Sequence, residues 1–154
     1  MTILQKTACV FAFAAGIFAA ANSAFAQGAP LFAVLNGGNE CNSASPPLCR
    51  QGDLDGYGSA TVIFPTATSI CFGIVVNNID RPTAAHIHRG PSGVNGGIVI
   101  PLTQPATGAP GASSGCKGGI LAGTVTAIRS DPTLFYVNVH TVAFPNGAVR
   151  GQLH

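Results

Sequence analysis

From residue 31 onward, apolar and polar positions alternate in short runs, and they rarely recur at the helical spacing of three and four. Alternation with period two marks a strand with one buried face. The runs that read as strands are LFAVL (31–35), YGSATVIF (57–64), SICFGIVVNNI (69–79), AAHIHR (84–89), GGIVIPL (96–102), GILAGTVTAI (119–128), LFYVNVHTV (134–142) and AVRGQL (148–153). Between them lie NGGNE, RQGDLDG, GPSGVNGG, TQPATGAPGASSG and FPNG, each carrying residues that suit a turning backbone. SDPT (130–133) suits one helical turn, with Pro132 just inside its start. The low-complexity stretch 103–115 reads as a mobile connector. Short strands at this spacing predict an all-β antiparallel sandwich or barrel.

The polar positions inside three of these runs are the candidate chemistry. Residues two apart on a strand share a face. His86 and His88 therefore oppose Ile87; Tyr136, Asn138 and His140 oppose Val137 and Val139; Arg150 and Gln152 oppose Val149 and Leu153. If the three segments share a sheet, their apolar sides form core. Their polar sides then gather His86, His88, His140, Asn138 and Arg150 into one external patch. Two imidazoles on one strand, joined by a third from a neighbour, make a ligand set typical of copper or zinc. The other reading is that these histidines hydrogen-bond to loop backbone or to Asn138 and hold covering loops in place. His154, at the end of the chain, reads as frayed.

The first residues change the picture of where the chain works. One cation, Lys6, precedes an apolar run from Ala8 to Ala21, and Ala24-Phe25-Ala26 has a small-x-small pattern. This predicts a secretory leader, residues 1–26, cleaved before Gln27. A single domain, 27–154, remains, with six cations against five anions and no basic run. Neither nucleic acid nor an anionic membrane surface is an expected partner. No second apolar stretch approaches a membrane span. The expected location is periplasmic or secreted, and the expected partner is an extracytoplasmic ligand or protein.

Cysteine usage fits export. Cys9 lies in the leader, leaving Cys41, Cys49, Cys71 and Cys116, which allow three pairings. Cys41–Cys49 and Cys71–Cys116 are the expected bridges. The first clips a short loop, and the second closes a long one, worth about 4 kcal/mol against about 2.5 by chain entropy. No Cys-x-x-Cys pair suggests a thiolate metal site.

Other chemistries find little support. Asp53, Asp55 and Gly58 match the opening of a calcium loop, but Phe64 stands where its twelfth-position carboxylate belongs. Ser59, Ser69, Ser92 and Ser130 sit in no Gly-x-Ser-x-Gly elbow. Residues 90–97 are glycine-rich but carry no lysine and open no helix, so they suggest no phosphate cradle.

LNGGNE, GYGSATV, AHIHRGPSGVNGGIVIPL and FYVNVHTVAFPNGAVRGQL together resemble the CHRD domain, a module of the extracellular protein chordin that also occurs as single-domain secreted bacterial proteins. The resemblance implies an extracellular, immunoglobulin-like β-sandwich of about eight strands in a Greek key. It implies a binding or envelope-associated module with no established biochemical activity. CNSASPPLC is an insertion relative to that pattern. The site is also similar to that of copper–zinc superoxide dismutase, a β-sandwich with a His-x-His strand, a later copper-ligating histidine and an arginine near the C-terminus. His86 and His88, His140, and Arg150 match these in chain order. No histidine lies between His88 and His140, so the resemblance implies a copper-only version without the zinc site. In it Arg150 would steer an anion, and Asn138 would support the ligands.

Overall fold

The computed structural model describes residues 28–44 and 47–154. The expected leader and its cleavage point lie outside them. Among the described residues are eight antiparallel strands, β1 (Leu31–Asn36), β2 (Tyr57–Thr66), β3 (Ser69–Asn77), β4 (Pro82–Arg89), β5 (Ile98–Leu102), β6 (Gly111–Lys117), β7 (Phe135–Thr141) and β8 (Val149–Gln152), with one α-helix, α1 (Ala122–Ser130), and two single-turn 3-10 helices, Gly37–Asn39 and Pro132–Leu134. The strands form a single sheet in the order β5-β4-β7-β8-β1-β2-β3-β6, so the β3–β4, β5–β6 and β6–β7 links are crossovers. The sheet curls nearly into a barrel. Val99, Ile100 and Pro101 of one edge strand and Lys117 of the other line a common hollow with residues 118–121.

Alternation builds the core as expected. Ala60, Val62 and Phe64 of β2 face inward with Ile70, Phe72, Ile74 and Val76 of β3. Ala85 and Ile87, Val137 and Val139, and Val149 complete the other side of the same core. No helix among the described residues is long and apolar enough to cross a membrane. His154 is not frayed in its backbone. It exchanges two hydrogen bonds with Phe32, each 3.0 Å, and so extends the β8 side of the sheet.

Two elements differ from expectation. Residues 119–128 do not form a strand. Ala122–Ser130 is helical and drives Val125 and Ile128, one turn apart, into the core. Its β-branched residues favour strand on propensity, but tertiary burial overrides that preference. Ile128→Val should cost about 1 kcal/mol in urea unfolding, since it removes one buried methyl group. A cost near zero would place the helix outside the core.

The supposed connector 103–115 contains most of β6, paired with β3 from Val76↔Gly111 to Ile70↔Lys117. Its inward positions are Gly111, Ser113 and Gly115, opposite Val76, Ile74 and Phe72. Small residues there leave room for the larger β3 side chains: a Cβ at Gly115 would lie 3.6 Å from the Phe72 ring. The strand is also tied down covalently by Cys71–Cys116, and Cys41–Cys49 clips the β1–β2 connection.

Candidate metal centre

Strands β4, β7 and β8 lie side by side. Their register aligns His86 with Asn138 and Asn138 with Arg150, and His88 with Tyr136 and Tyr136 with Gln152. The polar set therefore shares one face of the sheet, as the alternation predicts. That face is not external. Every residue of β7 is buried, on both sides of the strand. The β1–β2, β4–β5 and β7–β8 connections fold over it as a roof. Asn138 and Arg150 are each 1 % exposed, and His88 and His140 are each 8 % exposed.

Arg150 anchors this roof. Its guanidinium donates to the carbonyls of Pro91 and Val94 and to Asn95 Oδ1, all at 3.0 Å. It also stacks 3.5 Å from the centre of the Tyr136 ring. Planar delocalised charge suits both tasks. Buried and engaged in this way, Arg150 is not the surface cation expected to steer an anion. Asn95 Nδ2 donates to the Cys41 carbonyl at 2.6 Å, tying the two longest roof segments together. Asn138 Nδ2 donates to Glu40 Oε2 at 3.0 Å and to the Asn146 carbonyl at 3.2 Å.

Glu40 is the residue that sequence reasoning missed. It is 1 % exposed, and burial pushes its carboxyl above the usual range, partly offset by the Arg150 charge and by bonds from Asn138 and the Cys41 amide. A lone acid in a turn segment gave no hint of burial. Gly147 closes the cluster with φ +145, and a Cβ there would meet Glu40 Oε2 at 2.3 Å and Asn138 Nδ2 at 2.5 Å.

The three histidines converge within this layer. His140 lies diagonally across from His86, since its direct partner is Ala84. His86 Nδ1 and His140 Nε2 are 3.1 Å apart, and ligand nitrogens of all three rings fall within 4.8 Å of one another. His88 Nδ1 donates to the Gly96 carbonyl at 3.0 Å, and His140 Nδ1 donates to the Pro145 carbonyl at 3.1 Å. Carbonyls only accept, so these bonds place the ring protons on Nδ1 and the lone pairs on Nε2. The loop-holding role is thus real for both residues, yet it uses one nitrogen of each ring and leaves the other facing the cluster. His88 Nε2 is buried without a hydrogen-bond partner. Such an orphan costs about 1–3 kcal/mol, which a ligand would offset.

Electrostatics favour the ligating form. Burial lowers the pKa of all three imidazoles, and His140 is taken to about 4 by burial first and the neighbouring His86 second. The rings are neutral at neutral pH, which is the state that binds metal. A tetrahedral ion about 2.0–2.1 Å from each nitrogen sets spacings of about 3.3 Å. The His86–His140 pair already sits near that value, and the widest pair must close by at most about 1.5 Å. The donor set therefore fits a transition metal. Among the described residues the cluster has no fourth ligating side chain.

The Asp53–Gly58 stretch is a turn that leads into β2, with the Gly56 amide donating to the Asp53 carbonyl at 3.0 Å. A family model described as the CHRD domain matches residues 31–153. No curated protein and no solved structure matches the chain.

Proposed function

The chain belongs to the CHRD-domain family, and we propose that it is an extracytoplasmic copper-binding protein whose ligands are His86, His88 and His140. Family membership by itself carries no biochemical activity, and a metal ion gives content to the binding role that it implies. The observation that supports this reading most is the pair of carbonyl-fixed imidazoles, His88 and His140, which lie with His86 so that ligand nitrogens of all three rings fall within 4.8 Å of one another. Such outer-shell carbonyls orient metal-bound histidines. Copper is favoured over zinc because an all-imidazole site without added selectivity follows the divalent affinity order, in which copper stands highest. Two disulfides and the CHRD domain support a location outside the cytoplasm.

Protein exported to an oxidising compartment and purified without chelators should take up one Cu(II) per chain, with nitrogen coupling in its electron paramagnetic resonance spectrum. His88→Ala and His140→Ala should each weaken copper binding by about a hundredfold, or about 2.7 kcal/mol, with the β-sheet circular dichroism unchanged. Equal copper content in wild type and both variants, or none in any of them after exposure, refutes the reading.

A further inference from the structure

We infer that the histidine centre keeps one coordination position open to a cavity between three loops, and that this position takes a compact anion. The inference rests on the copper reading above. The cavity, about 460 Å³, has His88 and His140 in its floor. Its walls include Asn42 and Ser43 from the Cys41–Cys49 loop, Asn95 from the β4–β5 loop and Asn146 from the β7–β8 loop.

Three properties select the ligand. The first is charge. Three neutral imidazoles leave both positive charges of a cupric ion uncompensated, and no charged side chain among the described residues lines the cavity. An anion supplies the missing charge without competition from a wall carboxylate. The second is size. Only 8 % of His88 and of His140 is exposed, so the way from the cavity to an ion held by them is narrow and suits a species of a few atoms. The third is preorganisation. The walls are already held by Asn95 on Cys41, by Arg150 on Asn95 and by His140 on Pro145. Little ordering remains to oppose binding. Wall amides and the Ser43 hydroxyl can donate hydrogen bonds to an anion.

Azide is the probe. Added to the copper-loaded full-length protein, it should produce a saturable azide-to-copper charge-transfer absorption and shift the copper hyperfine coupling, with copper remaining bound. Ser43→Trp fills an exposed part of the wall without touching a ligand. It should keep the copper content while weakening azide binding by at least about tenfold. The inference is overturned if azide leaves the spectra of the copper-loaded protein unchanged. It is also overturned if azide strips the copper, or if Ser43→Trp binds azide as well as the wild type. Copper content measured on the same sample separates the failures. Protein that holds no copper refutes the copper reading and this inference together, whereas copper-bound protein blind to azide refutes this inference alone.

Discussion

Arg150→Met is expected to lower the free energy of unfolding by about 4 kcal/mol at neutral pH, read from urea denaturation. The side chain is fully buried, and a methionine has similar reach but no donors. Val94 O and Asn95 Oδ1 lose the guanidinium, and Tyr136 loses the cation stacked on it. Glu40 loses the positive charge that lowers its pKa. Removing one partner of a buried charge set costs more than the set contributes, because the other charge stays behind. Arg150→Lys should recover little, since an ammonium cannot serve three separated acceptors and stack on a ring.

The deficit should also depend on pH with a definite sign. A carboxyl whose folded pKa is raised carries no ionisation cost below its unfolded pKa. The cost develops as pH rises through the folded value. Without Arg150 the Glu40 pKa rises further and that window widens. The gap between Arg150→Met and wild type should therefore be smaller near about pH 4 than near about pH 7. The buried histidines act in the opposite direction, losing stability as pH falls from 6.5 towards about 4 for His140. Arg150→Met also removes a charge that helps hold the His88 pKa down, so the variant loses less than wild type in acid and the gap narrows in the same direction. A gap below about 1 kcal/mol at neutral pH would show that the roof does not depend on this residue.

Gly96→Ala is the second large effect, because it strikes the fold and the site together. A Cβ there would lie 1.5 Å from Arg89 O and 2.6 Å from Arg89 C, which are backbone atoms and cannot rotate away. The β4–β5 loop must shift, at a cost of about 3 kcal/mol. The shift also displaces two bonds that Gly96 makes, its amide to the Tyr136 hydroxyl at 3.2 Å and its carbonyl to His88 Nδ1. Loss of the second should weaken copper binding by about 10- to 100-fold, measured by competition with a chelator. Gly97→Ala is the control, since nothing lies within 4 Å of a Cβ at that position. It should change stability by less than about 0.5 kcal/mol. Equal behaviour of the two variants would contradict the proposed role of Gly96.

What could be read from the chain followed the physics of alternation. Strands with one apolar face, such as β2, β3 and β7, announce themselves because every second side chain must be buried. β6 does not, because its inward positions are glycine and serine that yield space to Phe72 and Ile74. α1 misleads because Val125, Thr126 and Ile128 favour strand until the core claims two of them at helical spacing. The shared face of the histidines, Asn138 and Arg150 is legible, since period two fixes which residues look the same way. Their burial was invisible, because alternation describes a strand and says nothing of loops that return over it. Asn95, Gly96, Pro145 and Glu40, which set the ring protons and hold the roof, lie in those loops, where no periodicity exists to mark them.

Strand β7 works as a partition between two compartments of unlike cohesion. Water exclusion holds the barrel beneath it, and a lattice of amides and carbonyls holds the layer above. Segments held mainly by hydrogen bonds, with few buried apolar contacts, open locally at lower free energy than a packed apolar core. The loops can therefore breathe while the strands that carry all three imidazoles stay in place. Loading and release of an ion would then require a local excursion rather than refolding, and the chain could reach its destination empty and be charged there.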